Sequence, residues 1–313
     1  MNPTEISNSP VLALEHNMSA AFEEFERRLP DFIVGGRLNP EVLLDISATV
    51  PKAPFIRRSA GELPQVHMQV AYLELLWAFI YSWMVIYEET IQKAQLRGDP
   101  AGSTTSINDG LVLRAEALWA WARGLGQAYT VWPPGLPSPQ EQFDEVEEYY
   151  ASKANFVFER ATSFLLCHEL AHALLGHLDV IEQPGASEQL RREMENEADQ
   201  AAFSRLVGQG LGDDDKLSQA WAIVSTMLSS FYAFTEPRRA LRETSHPPLH
   251  HRLAHLLDYL DFQGDGLRYY FYFLCRLVLI DVFPHLAGNG TVYEDGPGSL
   301  FAALDALDRE ALR

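Results

Sequence analysis

Hydrophobic positions recur at helical spacing along most of this chain. Segments near 10–29, 65–97, 109–128, 141–178, 187–208, 213–234, 248–262, 267–283 and 298–312 carry apolar residues at helical intervals or run without breakers, which predicts helices. Strand patterns are sparse. Short apolar runs occur in 31–34 and 43–57, but Gly35, Gly36 and three prolines interrupt them. The pattern predicts a mainly α, multi-helical fold with at most a small β-sheet. The clearest punctuation is the Pro- and Gly-rich stretch from Val131 to Pro139, and 98–105 reads as a second loop. Residues 1–130 are therefore expected to form an N-terminal helical region that packs, through Trp77, Trp83, Trp119 and Trp121, on a second part covering 141–313.

Polar residues break into two of the apolar helices in a way that changes the picture. His168-Glu169-Leu170-Ala171-His172 is an H-E-x-x-H sequence. Residues four apart share a helix face, so His168 and His172 can point two imidazoles at one metal ion, with Glu169 close enough to reach a water there. The flanks are apolar nearly all round, which predicts a buried helix. Two histidines and a glutamate are costly in such a place unless a partner satisfies them.

A third ligand is needed for a tetrahedral site. His177 follows closely, but zinc proteases with a third histidine need Gly three and His six residues after the second ligand. Those positions hold Leu175 and Leu178, so His177 reads as a helix-end histidine pointing off the metal face. Glu195 is the better candidate. It lies on a predicted helix whose Met194, Ala198, Ala201, Ala202 and Leu206 form an apolar stripe, and Asp199 follows it by four. The alanines permit close approach to the first helix. Glu195 could then bind the metal while Asp199 accepts the free ring N–H of a ligand histidine. The competing reading is an acidic solvated face.

An H-E-x-x-H motif followed by Glu195-Asn196-Glu197-Ala198-Asp199 resembles the gluzincin metallopeptidases. A third block, His246-Pro247-Pro248 with Arg252 four residues later, resembles the segment that follows in the CAAX prenyl protease and membrane stress peptidase group. The short gap between His172 and Glu195 is more similar to soluble phage-exclusion (Lit-type) peptidases. The resemblance covers roughly residues 160–255. It implies a zincin-like fold and Zn2+ held by His168, His172 and Glu195. It also implies Glu169 as general base, Asp199 behind a ligand, and His246 and Arg252 as active-site supports. His250, His251 and His255 also allow a second metal site, although no carboxylate or cysteine nearby in sequence supports one.

Composition narrows the partners. With 43 acidic and 24 basic residues the net charge is −19, which argues against nucleic acid. Cys167 and Cys275 make no disulfide framework and fit a reducing cytoplasm. The N-terminus does not read as a signal peptide. The most apolar run, Leu75 to Tyr87, is too short to span a bilayer and reads as a core helix, leaving only a peripheral membrane contact open. The resulting expectation is a cytoplasmic zinc-dependent endopeptidase acting on a protein or peptide, with narrow specificity or gating and a regulatory, stress or phage-defence role. The alternatives are a non-catalytic, zinc-stapled helical protein and a hydrolase of non-peptide amides.

Overall fold

The computed structural model describes residues 8–19, 23, 38–39, 41–59, 61–97, 108–181, 186–207, 213–242, 246–262, 265–287 and 296–311. After a short helical turn at Pro10–Leu14 come three short strands: β1 (Leu43–Asp45), β2 (Phe55–Arg57) and β3 (Gln65–Gln69). The helices that follow are α1 (Val70–Tyr87), α2 (Asp109–Gly124), α3 (Glu145–Leu174), α4 (His177–Ile181) and α5 (Glu188–Leu206). The chain continues through α6 (Asp213–Ser230), α7 (Leu249–Leu260), α8 (Asp265–Val282) and α9 (Gly296–Ala311). The protein is mainly helical with one small sheet, as the periodicity predicts. The strand-like run at 31–34 and the loop at 98–105 fall outside the described residues, as does much of the first predicted helix.

The sheet has the order β1-β3-β2. β3 runs parallel to β1 and antiparallel to β2, with Phe55 opposite His67 and Ile56 opposite Val66. β3 corrects the sequence reading, which placed 65–69 in a helix. Gln65-Val66-His67-Met68-Gln69 alternates polar and apolar, and Val66 and Met68 are the two buried positions. That is the period of a half-buried strand, overlooked because it passes without a breaker into α1.

α1 is buried along almost its whole length because it is apolar on every face. It packs against α2, α3 and α6. Trp77 on α1 donates its indole N–H to Asn155 Oδ1 on α3 at 2.7 Å, tying the two together. Among the described residues Val70–Gln92 is the one helical stretch long and apolar enough to cross a membrane, and it lies inside the core.

α3 is the long central helix. Asp144 caps it by accepting from Glu147 N at 2.8 Å, and Glu145, Glu147 and Glu148 in the first turn complement the helix dipole. It ends at Leu174. Gly176 takes a left-handed conformation (φ +73°), the usual way to turn a chain off a helix end. α5, capped by Ser187 accepting from Leu190 N at 3.1 Å, lies against α3 through Met194, Ala198 and Ala202. α7 then packs on α5 and α6, and α9 packs on α8.

Candidate active site

The site sits where α3, α5 and the first turn of α7 meet, with the free edge of β2 alongside. α3 presents His168, Glu169 and His172, all buried. Their ring nitrogens come together: His168 Nε2 and His172 Nε2 are 3.2 Å apart. α5 brings Glu195 to the same point, its Oε2 3.4 Å from His168 Nε2 and its Oε1 3.4 Å from His172 Nε2. One donor atom from each of the three residues lies within 4.8 Å of the others, a group that could hold a metal ion.

The donor set fits a cation better than it fits itself. His168 Nδ1 faces Asp199 Oδ1 at 2.8 Å, which holds one ring proton on Nδ1 and turns Nε2 towards His172 and Glu195, where it can give up its proton to a cation. Glu195 Oε2 is buried and takes part in no hydrogen bond. A single proton between the rings would satisfy only one contact, whereas a dication satisfies both imidazoles and the orphaned oxygen.

The surroundings tune each group. Burial alone would keep His168 neutral, but the charges of Asp199 and Glu195 outweigh it and push the imidazole up to about 10 without a metal. Burial and the positive His168 beside it hold His172 down to about 3. Burial raises the Glu169 carboxyl to about 7, Glu195 adds to this, and the backbone N–H of Ile56 opposes it. That N–H belongs to the β2 edge and donates to Glu169 Oε2 at 2.8 Å. Burial opposes charge on Asp199 too, yet Arg252 and His168 hold its carboxyl well below the ordinary range.

The two residues that the resemblance offers as supports, Arg252 and His246, also reach this region. Arg252 on α7 grips Asp199 with a forked contact, Nε to Oδ2 at 2.8 Å and Nη2 to Oδ1 at 2.7 Å. His246 lies just before α7 with its Nδ1 2.9 Å from Glu195 Oε1, although 61 % of its side chain faces solvent. The neighbouring Ser245 lies outside the described residues.

His177 lies past the end of α3 and outside the ligand group, as the sequence suggests, but it is closer to the site than that reading implies. It is buried, with Nδ1 3.1 Å from His172 Nδ1 and Nε2 3.1 Å from Glu197 Oε2. On a continuous helix it would point away. The left-handed turn at Gly176 ends α3 and folds His177 back behind His172, and that glycine one turn after the motif was the signal available. Ile56 was also overlooked, because a backbone N–H leaves no mark in a sequence.

The family described as Peptidase U49 has a model that matches residues 66–273, about two thirds of the chain, and the chain belongs to that family. It is a peptidase. No curated protein and no solved structure matches it.

Proposed function

We propose that this peptidase is a zinc-dependent endopeptidase of the gluzincin type, with His168, His172 and Glu195 as ligands and Glu169 as general base. The observation that supports it is the convergence of two imidazoles and one carboxylate beside a buried glutamate. Two histidine nitrogens and one glutamate oxygen from the protein are the donor set of a catalytic zinc rather than of a structural one. When bound, zinc would act as a Lewis acid towards the attacking water and the scissile carbonyl.

The protein's own groups supply the proton transfers. Glu169, raised to about 7, is a base matched to near-neutral pH. It takes the proton of the attacking water and passes it to the leaving amine nitrogen. Ile56 N–H anchors one carboxylate oxygen and so fixes the plane of the base. His246 is anchored through Nδ1 on Glu195 and open to solvent, which suits a side chain that meets substrate and donates to the developing oxyanion. Asp199 orients His168, and Arg252 holds Asp199 ionised. The metal-free charge of His168 would give way to the neutral donor when a dication binds.

The peptidase family match favours the phage-exclusion (Lit-type) side of the resemblance over the CAAX side. Cytoplasmic placement and a narrowly specific or gated regulatory role, with residues 1–130 packing on the catalytic part, belong to the same reading. The test is to express wild type and Glu169→Gln in a host cell and compare new protein termini. Termini present only with wild type, together with metal retained in Glu169→Gln and lost in His172→Ala, support the reading. Identical termini in both samples overturn it.

A further inference from the structure

A second cluster of metal-ligating side chains lies outside the active site. His250 and His251, consecutive on the first turn of α7, both reach Asp308 on α9. His250 Nε2 lies 2.8 Å and His251 Nε2 2.5 Å from the same oxygen, Asp308 Oδ1. Adjacent residues on a helix point about 100° apart and do not ordinarily share a partner. Here the two rings pack with centroids 4.4 Å apart, and α9 delivers the carboxylate to both. No carboxylate close in sequence announced this grouping, because Asp308 is brought in from the far end of the chain.

We propose that His250, His251 and Asp308 form a second site for a divalent transition cation, pinning α9 to α7. Three observations carry it. The three donor atoms lie within 4.8 Å of one another. His250 is wholly buried and its other nitrogen, Nδ1, has no hydrogen-bond partner, so the ring is poorly served by ordinary hydrogen bonding. Two imidazoles compete for one carboxylate oxygen, an arrangement that a shared cation resolves by taking a lone pair from each. Ligands of a tetrahedral zinc with bonds of about 2.0–2.1 Å stand about 3.3 Å apart. The two nitrogen–oxygen separations would therefore open by only about 0.5 and about 0.8 Å, from geometry of that kind. The side chains of His251 and Asp308, 42 % and 45 % exposed, have room to move that far and leave a fourth direction to water. Two nitrogens and one oxygen favour zinc, cobalt, nickel or copper over magnesium or calcium.

The position gives the site a consequence. Arg252, the next residue, grips Asp199 behind His168. A cation joining α9 to this turn holds the segment from which Arg252 and His246 reach the active site.

The test is zinc stoichiometry of the full-length protein, demetallated, reloaded with Zn2+ and freed of excess. Melting temperature with and without Zn2+ is measured in parallel. Two equivalents are expected in wild type, falling to one in Asp308→Asn and in His251→Gln. His172→Ala should keep the equivalent that those variants lose, and should still be stabilised by added Zn2+. Adding Asp308→Asn to it should abolish both. Unchanged zinc content in Asp308→Asn and His251→Gln overturns the proposal, as does a wild type whose single zinc disappears in His172→Ala. A single zinc kept in His172→Ala but lost in Asp308→Asn would sustain this site and sink the active-site reading.

Discussion

Arg252 and Asp199 meet through two parallel contacts of 2.8 and 2.7 Å, so a residue on α7 fixes the carboxylate that α5 turns towards His168. Asp199 is buried and Arg252 largely so, with 12 % of its side chain exposed, and each holds the other charged: Asp199 raises the guanidinium while Arg252 lowers the carboxyl, against the cost of burial. Removing Arg252 leaves Asp199 buried with only His168 to compensate its charge. Arg252→Ala should therefore cost about 3–5 kcal/mol of stability. Arg252→Lys keeps the charge but loses the fork and should cost less. Urea unfolding of the metal-free proteins measures both. A loss under about 1 kcal/mol in Arg252→Ala would show that the pair is solvated, as surface pairs are.

Asp199 Oδ1 also lies 2.8 Å from His168 Nδ1. Asp199→Ala should weaken zinc by about 10–100-fold, because the ring loses the partner that fixes its tautomer and direction. Competition with a chromophoric chelator reads the affinity directly. Unchanged affinity would make Asp199 a stability residue only.

His177 stands behind His172 as Asp199 stands behind His168, and it is backed by Glu197, whose side chain is 63 % exposed. His177→Ala should weaken zinc by about 10-fold, the lower end for a group behind a ligand. His177→Gln, which can still offer a hydrogen bond, should restore part of the loss. Glu197→Ala should do little, since water replaces an exposed carboxylate. Equal affinities in His177→Ala and His177→Gln would reduce His177 to packing.

The division between what was readable in the chain and what was not follows physical lines. The α3 and α5 motifs were legible because helical spacing translates directly into a shared face: His168 with His172, and Glu195 with Asp199. The short sheet was only half legible. β1 and β2 are three residues each, below the length at which alternation stands out. The alternation of Gln65 to Gln69 was masked by the helix that follows. The contacts of His177 depend on one left-handed glycine, and those of Asp308 on a packing of α9 against α7. Gly176 is the one local sign of the first, and the second has no local pattern. His246 and Arg252 were found from resemblance, since nothing in their spacing indicates that one touches Glu195 and the other Asp199.

His246 sits on the open side of the site. Its side chain is mostly exposed although Glu195 is buried, so its removal should leave folding and zinc content nearly unchanged. If its ring donates to the oxyanion, His246→Ala should lower kcat by about 10²–10³ with little change in KM, the signature of an interaction made mainly in the transition state. Steady-state kinetics on a substrate found by terminal profiling gives both constants. Wild-type turnover would remove His246 from the reaction, and lost zinc would place it among the groups that hold Glu195.

Glu74 offers a stability test far from the metal. It lies in the second turn of α1, fully buried, with Tyr129 donating to its Oε1 at 3.4 Å and no partner on Oε2. Burial raises its carboxyl from 4.5 to about 7, and hydroxyl contacts only partly offset this. The folded state therefore holds a proton that the unfolded chain has released between about pH 4.5 and about pH 7. In that window the native state binds more protons, so this residue makes stability fall as pH rises. Above about pH 7 its contribution is flat, at a total cost of about 3 kcal/mol by the usual conversion of such a shift. Glu74→Gln has no proton to release. It should unfold at higher urea than wild type at pH 8, and the difference should shrink towards pH 4.5. A constant difference across that range would mean that Glu74 is already ionised in the folded core, with a counter-charge or water holding it there.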